Sequence, residues 1–230
     1  TLNSIPIHHD DFPTMVEALA YAAQGEAGFN FFNVFGELTD VLSYQTLQQK
    51  AQQLAVVLQQ SGFKKGMLVG MIAETSAAFL VQFFACQYLG VLVAPLATPT
   101  SATEIETYGQ KLSVALASAK ITTLFCSERY QTFIQTPLKQ AGIAAVSFEQ
   151  WQNESVTVED ALFSKLTSLT ADEPAYIQFS SGSTTQPKGV LLTQKNIHAN
   201  LRVVLKEGMQ LEHEDRCFSW LPFYHNMGLI

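Results

Sequence analysis

The sequence predicts an α/β fold, with a layered, mostly parallel sheet flanked by helices. Three observations point to it. Short apolar runs rich in strand-forming residues alternate with longer segments of helical period. Two of the short runs (MLVGMIA, VLVA) are free of polar residues, as strands covered on both faces are. The 230 residues are 47% hydrophobic and 14% charged, which suffices for a large core and excludes a disordered or low-complexity chain.

The elements follow in order. Phe29–Phe35 (FNFFNVF) and Leu38–Leu42 flank Gly36-Glu37 and read as a β-hairpin. Ser43 offers an N-cap for a helix over Tyr44–Ser61, which sets Leu47, Ala51, Leu54, Ala55 and Leu58 on one face before Gly62 stops it. Met67–Ala73 is a buried strand. Thr75 or Ser76 caps a helix reaching Leu89, and Val91–Ala94 is the next strand. The stretch Ala77–Leu96 has the length of a membrane span, but Gln82, Gln87, Gly90 and Pro95 interrupt it. It reads as a buried helix, a glycine stop and a buried strand, with no integral membrane segment.

A helix over Glu104–Ala119 carries Ile105, Tyr108, Leu112 and Leu116 as its apolar stripe. Ile121–Cys126 is a strand, Glu128–Ala141 a helix expected to break at or near Pro137, and Ala144–Phe148 a short strand. Glu149–Glu173 is polar and reads as a surface excursion. Ala175–Phe179 and Gly189–Leu192 are strands, and Gln194–Glu207 a helix. Strand–helix alternation of this kind requires crossovers and hence parallel strands.

The formal net charge of −7 argues against nucleic acid or an anionic membrane surface as partner. It leaves room for a small anion held by a few backbone N–H groups and one Lys. Cys86, Cys126 and Cys217 are scattered, with neither metal-ligand nor disulfide spacing, which fits a reducing, cytoplasmic setting. Thr1–Asp11 shows no signal-peptide pattern. His8-His9-Asp10-Asp11 reads as a solvated terminus rather than a metal site, and Glu212-His213-Glu214-Asp215 as a polar turn. No metal site is expected. Cys217, ahead of an apolar run, is expected to be buried.

The chemistry sits in Tyr176–Val190, YIQFSSGSTTQPKGV. A strand runs into Ser180, Ser181, Gly182, Ser183, Thr184 and Thr185, then Pro187, Lys188 and Gly189 open a second strand. Small residues leave consecutive N–H groups uncovered, hydroxyls add donors, and Lys adds a mobile charge. The order differs from a Walker A loop, because Lys188 follows Pro187 and no helix opens there. By composition alone, a polar hairpin turn is an equal reading.

That order resembles the phosphate loop of the acyl-adenylate-forming (AMP-binding) superfamily: a strand, [ST]SG[ST]TGxPKG, a strand. Thr185 stands where most members have Gly, a departure tolerated in the fatty acyl-AMP ligase branch. Cys217–Ile230, CFSWLPFYHNMGLI, is similar to the family's next motif, with Asn226 replacing the usual Asp. The segments from about Phe29 onward, including LSYQTLQQKAQQLAVVLQQSGFKKGMLVGMIAETSAAFLVQFFACQYLGVLVAPL, also look like the family's opening.

The resemblance implies the N-terminal portion of the adenylate-forming fold and activation of a fatty acid by ATP with Mg²⁺, giving acyl-AMP and pyrophosphate. It implies that Ser180, Ser181, Gly182, Ser183, Thr184, Thr185, Lys188 and Gly189 hold phosphate and that Lys188 and His225 act in the chemistry. Trp220, Phe223, His225 and Met227 would border the acyl substrate, with ordinary core as an equal reading for the apolar three. Partners implied are a fatty acid and an acceptor, either an acyl carrier protein or CoA. An acyl-CoA ligase and a catalytically idle nucleotide- or lipid-binding module are the alternatives. Residues 1–230 are expected to form an incomplete large domain, with a first sheet-and-helix subdomain to about residue 170. From about 171, the phosphate loop and the start of a second subdomain follow, without the C-terminal lid domain. Such a piece alone is expected to be inactive.

Overall fold

The computed structural model describes residues 5–8, 12–99, 102–152, 166, 169–179, 189–212 and 215–229. A helix that the sequence analysis does not assign, α1 (Met15–Ala22), comes first; the Thr14 hydroxyl accepts the Glu17 N–H and starts it. The expected hairpin forms as β1 (Gly28–Phe32) and β2 (Leu38–Ser43). Its turn begins earlier than expected. The Asn33 side-chain oxygen accepts the N–H groups of Phe35 and Glu37, and Gly36 takes a φ of 79°, open to glycine without strain.

Ser43 caps α2 (Tyr44–Gln60), accepting the Thr46 N–H at 3.0 Å, and the five predicted stripe residues are all buried. Next come β3 (Leu68–Ile72), α3 (Ala77–Leu89, capped by Ser76) and β4 (Leu92–Leu96). Gly90 ends α3 in the left-handed conformation, as such stops do. No helix among the described residues is long and apolar enough to cross a membrane.

The alternation continues through α4 (Ala102–Ser118), β5 (Thr123–Cys126), α5 (Glu128–Gln140) and β6 (Ala144–Ser147). Helix α5 does not break at Pro137. A Cβ on Gly109 of α4 would lie 2.7 Å from the Pro137 ring, so the glycine makes room for the proline within the packed pair. The excursion after β6 is less polar than expected: α6 (Glu149–Gln152) buries Trp151, and Leu169 is buried too.

Strands β7 (Pro174–Phe179) and β8 (Gly189–Thr193) follow, then α7 (Gln194–Arg202). The predicted helix end at Glu207 is reached in altered form, because Val203–Gly208 widens into a π-helical stretch. Among the described residues of 215–229 the apolar run after Cys217 forms no strand; the regular element there is the short α8 (Asn226–Leu229). No described strand lies alongside Cys217–Leu221 to pair with it, so Cys217 is exposed rather than buried.

The main sheet has the order β6-β5-β3-β4-β7-β8. All its neighbours are parallel except the β7–β8 pair. One face packs on α2 and α3 through Leu54, Leu58, Phe79, Phe83 and Tyr176; the other packs on α4 and α5 through Leu112, Leu116, Ile134 and Leu138. Gly70 of β3 lets the second layer close, since a Cβ there would stand 2.8 Å from a Leu116 methyl. Cys86 and Cys126 lie within these layers, and burial pushes the Cys126 thiol up to about 12, so it is not a thiolate.

Pro95 has a particular place in the sheet. Leu92 N–H donates to Met67, and Ala73 N–H donates to Leu96, so residues 92, 94 and 96 bond toward β3. Pro95 therefore faces β7, where it has no N–H to offer. Among the described residues the β4–β7 ladder is limited to Val93 opposite Tyr176, although the two strands stay side by side.

A buried amide chain joins four elements. Gln87 of α3 donates to the Ala175 carbonyl at 2.9 Å, Gln194 of α7 donates to the Gln87 oxygen at 2.9 Å, and the Met15 N–H donates to the Gln194 oxygen at 3.0 Å. Gln87 and Gln194 are 1% and 0% exposed. Gln194→Leu should strand both partners and lower stability by about 2 kcal/mol, read as a shift of the urea midpoint. An unchanged midpoint would show the chain to be energetically idle.

Candidate functional site

In parallel sheets, ligands gather beyond the carboxyl ends of the strands, where neighbouring connections diverge. Here α3 leaves β3 on one face, while α4 and α5 leave β4 and β5 on the other. The gap in the β4–β7 ladder, at Pro95, falls at the same end.

The loop richest in hydroxyls and glycine starts there. Phe179 and Gly189 are paired across β7 and β8, so the two ends of residues 180–188 are held side by side. Ser180, Ser181, Gly182, Ser183, Thr184, Thr185 and Lys188 lie outside the described residues; Gly189 opens β8 and is exposed.

The second motif reaches the same place. Gln178 of β7 donates its amide to the Tyr224 carbonyl at 3.0 Å, tying the end of β7 to the residue before His225. On the same face, the Phe223 ring stacks on Phe79 of α3, with centroids 5.4 Å apart and planes at 25°. Phe79 in turn stacks on Phe83, and both are fully buried. Segment 221–229 thus rests on the start of α3 and the end of β7.

Its own turn is tight. The His225 N–H donates to Pro222 at 2.9 Å, and the His225 carbonyl accepts from Gly228 and Leu229. A Cβ on Gly228 would lie 2.3 Å from the Pro222 carbonyl oxygen, so no side chain fits there without shifting backbone. The Met227 N–H donates to His225 Nδ1 at 3.3 Å. The neutral ring then carries its proton on Nε2, and the imidazole is exposed.

Of the predicted acyl-bordering residues, Phe223 is half-buried against the core, while Trp220 and Met227 are 82% and 69% exposed. Sequence reasoning missed Gln178 and Phe79. The signal for Gln178 is a lone amide inside the otherwise apolar strand YIQF; Phe79 has none beyond being aromatic near the start of a buried helix.

The AMP-binding enzyme family matches residues 22–230. The chain belongs to that family. As an AMP-binding enzyme chain it is 37% identical, over all of its 230 residues, to a putative acyl-CoA synthetase of Caulobacter vibrioides, of which it covers 39%. It is 31% identical over 196 residues to the long-chain-fatty-acid–AMP ligase FadD32 of Mycolicibacterium smegmatis, covering 82% of this chain and 29% of that protein. Among solved structures, a fatty acyl-adenylate ligase from work on the E. coli and L. pneumophila enzymes superposes with a TM-score of 0.88 at 37% identity, over 97% of this chain and 40% of that one. The L. pneumophila ligase in complex with acyl adenylate and pyrophosphate gives a TM-score of 0.78 at 25% identity, over 98% of this chain and 38% of that one. The chain therefore spans about two fifths or less of these AMP-binding relatives.

Proposed function

We propose that this chain supplies the phosphate-holding part of an enzyme that activates a fatty acid with ATP, giving acyl-AMP and pyrophosphate. The observation that carries the reading is the hydrogen bond from Gln178 to Tyr224, because it draws the base of the hydroxyl-rich loop and the His225 turn to one end of the sheet. Relatives named as fatty-acid–AMP ligase and acyl-CoA synthetase support it.

In this reading a carboxylate oxygen attacks the α-phosphorus of ATP. The bond to the bridging oxygen breaks, and pyrophosphate leaves with the electron pair. Such a reaction needs positioning and charge stabilisation more than covalent chemistry. Ser181, Gly182, Ser183 and Thr184, flanked by Ser180, Thr185 and Gly189, hold the β- and γ-phosphates with Lys188 as the charge. His225 Nε2–H is the donor on the opposite side, toward the carboxylate and the α-phosphate. Mg²⁺ accompanies the nucleotide as part of the substrate, and no side chain of this chain is assigned to it. Phe223, Trp220 and Met227 lie toward the acyl chain.

Two acceptors for the acyl group fit the relatives. One is named an acyl-CoA synthetase, and another, from Moorena producens, a medium-chain-fatty-acid–[acyl-carrier-protein] ligase. Incubating the complete gene product with ATP, Mg²⁺, CoA and a panel of fatty acids, with products resolved by mass, tests the reading. Acyl-AMP without acyl-CoA supports the acyl-AMP ligase, with a carrier protein as acceptor. Acyl-CoA moves the assignment to the CoA ligase. Neither product, with ATP still bound, leaves a nucleotide-binding module. Lys188→Ala should weaken the use of ATP by about 1–3 kcal/mol, the scale of a lost charge-assisted contact. An unchanged ATP dependence of pyrophosphate exchange would remove Lys188 from the site.

A further inference from the structure

We infer that Gln178 is a positioning residue, a side-chain latch that sets the His225 turn against the loop leaving β7; the inference rests on the adenylation reading. The Gln178 amide nitrogen lies 3.0 Å from the Tyr224 carbonyl oxygen and 3.4 Å from that of Phe179. Both neighbours are acceptors only, so the amide orientation is fixed: nitrogen toward Tyr224, oxygen away. That oxygen is buried and has no hydrogen-bond partner among the described residues. A buried polar atom left so is a cost the fold carries without local return. A Leu or Met at this point of YIQF would suit the strand as well, and Tyr176, two residues back on the same face, is wholly within the apolar layer.

The latch also has leverage. Tyr224 precedes His225, and the His225 carbonyl starts α8, so moving the Tyr224 carbonyl moves the imidazole. Phe223 on Phe79 fixes the segment's depth, but a stacked ring pair permits sliding in its plane. The hydrogen bond from Gln178 supplies the directional restraint. It originates two residues before Ser180, so a single strand end sets both the start of the phosphate loop and the place of His225.

The test uses the complete gene product carrying Gln178→Glu, which keeps the shape and loses the donor, and Gln178→Leu, which loses both polar atoms. Hydrogen–deuterium exchange of a peptide spanning 221–229 should rise about tenfold in both, with melting temperatures within a few degrees of the parent. In acyl-dependent pyrophosphate exchange kcat should fall at least about tenfold, the scale of a displaced group. KM for ATP should stay within about twofold, since the loop's own donors are untouched. Unchanged exchange at 221–229 would overturn the latch. Raised exchange with an unchanged kcat would overturn its positioning role. If the parent makes no acyl-AMP, the adenylation reading falls, and the exchange measurement still decides whether Gln178 holds the turn.

Discussion

His225→Ala is expected to lower the rate of acyl-AMP formation by roughly 10²–10³, the effect of removing one donor aimed at developing charge. Stability should barely change. The ring is exposed, and its one described hydrogen bond to main chain is the acceptance of the Met227 N–H at 3.3 Å. Losing that contact at the start of a one-turn helix should lower stability by about 0.5–1 kcal/mol. His225→Asn separates the two roles, because its oxygen can still accept from Met227 while its amide lacks the reach of Nε2. Single-turnover rates and melting curves of the complete gene product check this. Full activity per folded molecule in the alanine variant would assign His225 to the turn alone.

Phe79→Ala should produce the largest loss of stability, about 3–5 kcal/mol for a buried aromatic. Phe79 is fully buried between Phe83, at 6.0 Å, and Phe223, at 5.4 Å. Truncation would open a cavity in the layer under α3 and remove the seat of segment 221–229 together. Denaturant unfolding should report the first effect, and exchange at 221–229 the second. Phe79→Leu should recover most of the stability, since the apolar volume is largely restored, but less of the seating, which depends on a stacked ring. A loss below about 1 kcal/mol in the alanine variant would mean that the layer collapses freely around the gap.

Most of the strand and helix order was legible because the controlling signals are local. Ser43, Ser76, Gly62 and Gly90 act within one turn of their own positions, and each does what its residue type suggests. Two of the departures, α1 started by Thr14 and the early turn at Asn33, are local as well; others are tertiary. Pro137 lies within a helix, and Gly109, far away in sequence, leaves space for its ring where the two helices pack. Cys217–Leu221 is apolar enough for a strand but has no described neighbour to pair with. Of the candidate site, the residue types of the loop and His225 could be read directly. The link between them could not: the lone amide in YIQF marks Gln178, but its partner is the Tyr224 main-chain carbonyl, and main-chain atoms leave no mark in a sequence.

Pro95 also bears on how far β7 can adjust. A residue able to donate at that position could add a main-chain hydrogen bond toward β7, and a ladder closed to its ends yields only when such bonds break. Without that donor, β7 has one tie fewer to its parallel neighbour. A small shift of β7, and of the turn that Gln178 holds, then costs less than it would beside a fully bonded strand.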